Sequence, residues 1–279
     1  MGFFSFEEQI IPLDEWVQSG VDWLVLNYRE FFQVLKTPIE LTLNGLEWFF
    51  AILPPVVVIL LFAAAAWRFA GKRVMAFTVA TFLLVGCLGL WEATMTTLSM
   101  VICSVVFCAV AGIPLGIGAG RSDRFEMILR PFLDAMQTTP AFVYLVPVVM
   151  LFSIGTVSGI LATIVFALPP IIRLTNLGIR QVHPELVEAA IAFGATPMQV
   201  LQKVQLPQAL PSIMTGLNQT IMMALSMVVI AALIGAGGLG NPVVQGLNTL
   251  QIGVATIGGL SIVLLAMVLD RITQGFAKR

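Results

Sequence analysis

Charge is what this sequence has least of: Asp, Glu, Lys and Arg make up 10% of its 279 residues, against 58% hydrophobic. With a mean hydropathy of +0.98, the chain holds more apolar side chain than one water-facing domain can bury. An ordinary soluble enzyme is excluded. The net charge of −1, with no basic block, leaves no footprint for nucleic acid. Histidine occurs once, at His183 beside Pro184, outside every long apolar run. It reads as a surface residue, and an intramembrane enzyme would lack a base of that kind. The three cysteines, Cys87, Cys103 and Cys108, lie in apolar runs, are odd in number and lack metal-ligand spacing. They read as packing residues rather than a disulfide framework or zinc site. No Gly-rich phosphate loop ending in Gly-Lys-Ser/Thr is present either, so ATP cannot be held by that device.

What is present is a series of long uncharged stretches. An ionised group at mid-bilayer costs several kcal/mol and a span needs roughly 20 apolar residues. Uncharged runs of 20, 18 and 28 residues follow Glu47, Arg73 and Glu92, one of 38 follows Asp134 and one of 66 follows Lys203. The last two fit two helices each if they fold back at Gly155 to Gly159 and at Gly235 to Gly240. The expectation is an all-α, polytopic membrane protein of about seven transmembrane helices, because lipid leaves no partner for open backbone groups. Twelve of the 14 basic residues then fall on one side: Arg68, Lys72, Arg73, Arg121, Arg124, Arg130, Arg173, Arg180, Lys203, Arg271, Lys278 and Arg279. By the positive-inside rule that side is the cytoplasm, with the N-terminus outside and the C-terminus inside. The other side holds Glu7, Glu8, Asp14, Glu15, Asp22, Glu30, Glu40, Glu47 and Glu92. Trp48, Trp67 and Trp91 stand near predicted span ends.

Residues 1 to 44 lack the basic start and cleavage pattern of a signal peptide and read as a retained external tail. Asp14 to Leu35 places Trp16, Val17, Trp23, Leu24, Phe31 and Leu35 among acids and amides, with Pro38 as a stop. This is the pattern of an amphipathic helix on the outer leaflet, or of a loosely ordered tail. Residues 45–92 read as two accessory transmembrane helices, and 93–275 as a core of five with a cytoplasmic loop at 176–208.

That loop carries the densest punctuation. Pro184 and Glu185 suit a first helical turn, and Leu186, Val187, Ala189, Ala190 and Phe193 continue it. Gly194 suits a left-handed closing position, Thr196 a cap and Pro197 the start of a second short helix, which Leu206-Pro207 ends. A rigid helix pair of this kind suits a groove on a soluble partner. It also suits a cover over the bundle.

The spacing of Glu188, Ala189, Ala190, Gly194, Val204, Leu206 and Pro207 resembles the E-A-A-x3-G-x9-I-x-L-P signature of permease subunits in binding-protein-dependent ABC importers. Val204 for Ile is the one departure. Residues 134–142 (DAMQTTPAF), 166–173 (FALPPIIR), 218–220 (NQT) and 234–240 (IGAGGLG) are similar to the glycine betaine/proline betaine/choline permeases, so that the resemblance covers roughly 85 to 275. It implies a type I importer-like core that works as a homodimer, two ATP-binding subunits beneath it, and an external binding protein that delivers cargo. It implies an osmoprotectant cargo: glycine betaine, proline betaine, choline or carnitine. ATP and Mg would sit on the partner subunit, with no cofactor in this chain and no enzyme activity of its own. The 188–207 stretch becomes the ATPase-coupling loop. Gly235, Gly237, Gly238 and Gly240 read as gate or hinge, or as a permissive turn. Asn218, Gln219 and Thr220 read as cargo contacts or interhelical hydrogen bonds. Pro114, Pro140, Pro147, Pro169 and Pro170 read mostly as kinks, and Met222, Met223 and Met227 as packing residues. No tight aromatic cage for a quaternary ammonium is legible in the central spans. The rival class is an ion-coupled secondary transporter of small zwitterions, which needs no nucleotide-binding partner.

Overall fold

A computed structural model describes residues 12–277 of the chain, apart from the side chains of Leu13, Asp14, Arg29 and Ala277. Glu7, Glu8, Lys278 and Arg279, named above, lie outside the described residues. The described residues form helices α1 (Leu13–Ile52), α2 (Pro55–Ala70), α3 (Lys72–Cys87), α4 (Trp91–Arg121), α5 (Asp123–Thr138) and α6 (Ala141–Phe152). They continue with α7 (Thr156–Arg180), α8 (Pro184–Ala192), α9 (Pro197–Val200), a π-helical turn (Leu201–Gln205), α10 (Leu206–Ala232), α11 (Gly240–Asn248) and α12 (Ile252–Ala277).

The all-helical reading stands, but the span count changes from seven. Among the described residues, four helical segments are long and apolar enough to cross a membrane: α4, α7, Pro197–Ala232 and α12. Up to six result if two bent pairs each form one span. The expected first span, between Glu47 and Arg68, is broken by a 109° bend between α1 and α2. Pro54 drives Leu53 to φ −74° and ψ 127°, the extended conformation imposed on a residue before proline. Thr139, before Pro140, takes φ −72° and ψ 127° and turns α5 into α6 by 102°. The expected second span corresponds to α3, whose 16 residues reach only about 24 Å at 1.5 Å per residue. The other predicted kink prolines, Pro114, Pro147, Pro169 and Pro170, sit inside helices.

Residues 13–35 are helical, and Trp16, Val17, Trp23, Leu24, Phe31 and Leu35 are exposed. Pro38 does not stop this helix. The break comes earlier, at Tyr28 (φ −122°, ψ 21°). Ile39 and Leu43 bury against Met100, Cys103, Val157 and Ile160, so tertiary packing outweighs the one backbone bond that proline removes. The division drawn at residue 44 therefore falls within a single helix.

α7 is the hub, flanked by α4 and α10. Gly112, Gly116 and Gly120, one per turn of α4, face Ile171, Thr175 and Ile179 of α7. Gly178 of α7 returns the arrangement against Ala209 and Ser212, while Gly216 of α10 meets Ile171. Small residues let backbones approach where lipid offers no hydrophobic drive to associate. A second cluster joins Val58, Phe82, Leu98, Leu225, Leu239, Leu265 and Val268, which ties α2 and α3 to α12 and the central helices. Cys103 and Cys108 are buried in this packing, whereas Cys87 is exposed. Met227 is fully buried, and Met222 is exposed. The 66-residue run does fold back at Gly235 to Gly240, but it also contains the short helix α11, which the sequence reading did not anticipate.

Candidate functional site

The loop between α7 and α10 is built from its carbonyls outward. Pro184 opens α8 at its first position, where a missing N–H removes nothing the helix uses. At its end, Ala195 N–H donates to Ala190 O at 3.0 Å and Gly194 N–H to Ile191 O at 2.8 Å. This 6→1 and 5→2 pairing is the Schellman closure, which needs a left-handed residue. Gly194 supplies it with φ +80°. Thr196 then caps α9: its Oγ1 accepts from Gln199 N–H at 3.4 Å, while Gln199 Oε1 accepts from Thr196 N–H at 2.8 Å. The bend is thus fixed by four local hydrogen bonds.

The segment beyond the bend departs from the expectation. Leu206-Pro207 does not end the second helix, which runs through the π turn into α10. Leu206 N–H donates to Leu201 O, five residues back, and the wider turn accommodates Pro207, which has no N–H to offer. The bend is therefore in one piece with a long membrane helix. Leu201, Leu206, Ala209 and Ile213 root it against Ile179 of α7 and Ile113 and Ile117 of α4. Val204 is half-buried in the π turn, and Pro207 is exposed. On the outer side Leu186, Ile191, Phe193 and Met198 are exposed, Phe193 at 93%. Glu188, Ala189 and His183 are exposed beside them, and Ala190 is half-buried.

A polar anchor at the base of α8 was not anticipated. Arg180, the last residue of α7, donates to Asp123 Oδ1 (2.7 Å), Ala119 O (2.8 Å) and Asn176 Oδ1 (2.8 Å), and its Nη2 lies 3.0 Å from Glu126 Oε2. Glu126 also accepts from Arg130 (2.9 Å) and Asn176 (3.1 Å), and Arg173 pairs with Asp134. A cavity of ≈ 390 Å³ opens beside this network. The hydrogen bond from Arg130, then that from Asn176 and the charges of Arg180 and Arg130, hold the Glu126 carboxyl below its ordinary value of 4.5 against the opposing effect of burial. A carboxyl lowered in the folded state contributes stability above the ordinary carboxylate range and loses it as pH falls through the lowered value. Replacing Arg180 by alanine removes the joint between α4, α5 and α7. Because the pairs are partly exposed, the loss is about 1 kcal/mol, and hydrogen exchange across 184–196 accelerates about fivefold.

The residues considered for a pathway separate. Gly235, Gly237 and Gly238 have φ of +74°, +82° and +71°, which side-chain-bearing residues resist. The turn they form is pinned: Leu239 N–H donates to Thr97 Oγ1 of α4 at 2.8 Å. A Cβ on Gly240 would lie 2.4 Å from Val228 O. Asn218 donates to Asp270 Oδ1 at 2.8 Å and accepts from Thr273 at 2.6 Å, a clasp between α10 and α12 that Gln274 extends. Thr220 is fully buried and donates to Ala167 O of α7 at 3.1 Å. Gln219, between them, is exposed. Replacing Asn218 with leucine leaves Asp270 without its partner on α10 and lowers stability by about 1–2 kcal/mol, measured as a reduced midpoint of thermal unfolding in detergent.

Comparison with known proteins agrees with this arrangement. Residues 112–279 match the family described as "Binding-protein-dependent transport system inner membrane component". The chain is 52% identical over 273 residues to the glycine betaine/proline betaine transport system permease protein ProW of Escherichia coli (strain K12), covering 98% of this chain and 77% of that one. It is 44% identical over 264 residues to the glycine betaine transport system permease protein OpuAB of Bacillus subtilis (strain 168), covering 95% of this chain and 94% of that one. It is 38% identical over 214 residues to the trimethylamine N-oxide transport system permease protein TmoV of Ruegeria pomeroyi, covering 77% of this chain and 32% of that one. Among solved structures, a chain of the MetNI methionine ABC transporter in an inward-facing conformation superposes with a TM-score of 0.61 at 25% identity, over 68% of this chain and 94% of that one. The chain belongs to the family of binding-protein-dependent transport system inner membrane components.

Proposed function

We propose that this chain is the membrane permease of an ATP-driven importer whose cargo is a quaternary ammonium osmolyte of the glycine betaine class. The observation that carries the reading is the Gly194 bend: a locally locked helix pair with an exposed apolar face, continuous through the π turn with α10. A soluble partner that seats Phe193 and Ile191 moves a membrane helix directly. That partner is an ATP-binding subunit pair holding ATP and Mg, an external binding protein delivers cargo, and a second copy of this chain completes the pore. Residues 93–275 form the permease core, and residues 184–206 face the cytoplasm in keeping with the basic residues around them. The cargo class follows the names of the relatives. Glycine betaine, proline betaine and trimethylamine N-oxide all carry a fully substituted nitrogen.

The test is uptake of labelled glycine betaine into proteoliposomes that hold the purified complex, with the binding protein outside and ATP supplied to the ATPase face. Accumulation follows ATP and Mg and is indifferent to a sodium or proton gradient. Accumulation that follows either gradient without nucleotide supports ion-coupled transport and contradicts the reading.

A further inference from the structure

At the end of the bundle away from the coupling loop, the elbow between α1 and α2 closes against the start of α4 around a cavity of ≈ 450 Å³. Its walls include two carboxylates, Glu47 and Glu92, and two aromatic rings, Phe50 and Trp91. Neither carboxylate takes part in any ion pair among the described residues. Glu47 is half-buried and Glu92 exposed, so one acid is set back in the cavity and the other stands at its rim. Trp91 packs against Phe82, with ring centroids 6.1 Å apart, and Phe50 is buried in the main core. These rings are therefore fixed surfaces, not side chains in search of a place.

Carboxylates without a cationic partner, beside rigid aromatic faces, attract a cation. The rest of the lining is largely apolar, with Ala51, Leu53, Pro55 and Met95 beside Thr96 and Ser99, and Ser99 Oγ donates to Met95 O at 2.9 Å. A primary ammonium or a guanidinium carries N–H groups for which such walls offer few acceptors away from the two carboxylates. A fully alkylated nitrogen has none and is satisfied by charge and π-faces alone. The cavity also borders the glycine turn. A Cβ on Gly237 would lie 3.8 Å from Thr96 Cγ2, and the next residue, Thr97, anchors Leu239.

We propose that this cavity is a quaternary ammonium site at the acidic end of the permease, where Glu47 and Glu92 supply charge and Trp91 and Phe50 supply π-faces. In choosing this ligand the inference rests on the cargo reading above. It adds a site on the permease itself, outside the core helices α7 and α10.

The test uses the full chain, labelled with fluorotryptophan, in nanodiscs of phosphatidylethanolamine and phosphatidylglycerol. Tetramethylammonium chloride is the probe, and the Trp91 signal, assigned with Trp91→Phe, is followed by fluorine NMR. A saturable displacement of that signal is expected, which sodium chloride at equal ionic strength does not reproduce. The double variant Glu47→Gln, Glu92→Gln keeps the shape of both side chains and the Trp91 reporter, and its Kd rises at least about tenfold. An unmoved Trp91 signal, or one that moves equally in the double variant, overturns the proposal. The same nitrogen occurs in a lipid headgroup, so the titration is repeated in phosphatidylcholine discs. A signal already displaced there, and indifferent to tetramethylammonium in choline-free discs, replaces the proposed site with a lipid site. Uptake measured alongside separates the two readings. ATP-driven uptake with a silent Trp91 removes the site and leaves the importer standing, whereas a saturable shift without quaternary ammonium uptake supports the site and removes the cargo.

Discussion

Replacing Gly194 with valine abolishes ATP-driven uptake while the protein remains inserted and folded. The effect arises in the backbone alone. A Cβ at residue 194 meets no heavy atom within 4 Å, so the added β-carbon itself meets no steric conflict with the rest of the chain. The residue holds φ +80°, a conformation that costs an L-residue about 1–2 kcal/mol and is least tolerated by β-branched side chains. Relief comes by opening the closure, which releases the Ala190 and Ile191 carbonyls from Ala195 and Gly194 and changes the angle between α8 and α9. Asparagine, which visits the left-handed region through local hydrogen bonding, retains most transport, alanine an intermediate share and valine less than about a tenth. Uptake rates of the three variants at matched expression check this order. Equal loss in all three would point to a contact made by glycine itself rather than to its conformation.

Leucine at Gly116 has the largest expected effect on stability. Its Cβ would fall 2.5 Å from Thr175 Cβ and 2.7 Å from Ile172 O, and the second of these is backbone, which cannot swing aside. α4 and α7 must then separate along the seam that Gly112 and Gly120 share. Overpacking at such a position costs about 3 kcal/mol or more, enough to unfold a marginal protein. Gly118, two residues on, provides the control. Its Cβ meets only the Phe125 ring, at 3.2 Å, and that side chain can tilt. Thermal unfolding in detergent should show Gly118→Leu close to the parent and Gly116→Leu strongly reduced, with poor recovery of folded protein.

The loop between α7 and α10 was the most legible part of the sequence because its signals are local. Pro184, Gly194, Thr196 and Pro197 each report the backbone position they occupy, and the structure places them there. Charge spacing found the long helices for a similar reason, since each uncharged run is a property of one segment. Tertiary effects were less visible. Pro38 reads as a stop in the sequence, but Ile39 and Leu43 are held by residues of α4 and α7 far along the chain. The elbows at Leu53 and Thr139 carry a signal in the residue before proline, which the spacing of charges does not register. So does the seam on α4, where glycines at 112, 116 and 120 spell a small-residue repeat. The Arg180 anchor joins α4, α5 and α7 over separations of 57 and 61 residues, and no spacing rule reaches that far. The same holds for Asn218, whose partner Asp270 lies 52 residues on. Its two hydrogen-bonding ends are both used within the bundle, which accounts for it without cargo.

One measurement addresses the central claim directly: a photoreactive residue placed at Phe193 in the assembled, transporting complex. The account predicts an adduct with the ATP-binding subunit, because Phe193 stands at the apex of the exposed face and the partner must cover it to move α10. The same label at Pro207, on the other arm of the loop, serves as the comparison. If uptake proceeds at the parent rate and Phe193 crosslinks only to lipid or to nothing, the bend is not where nucleotide energy enters the membrane, and the account is contradicted.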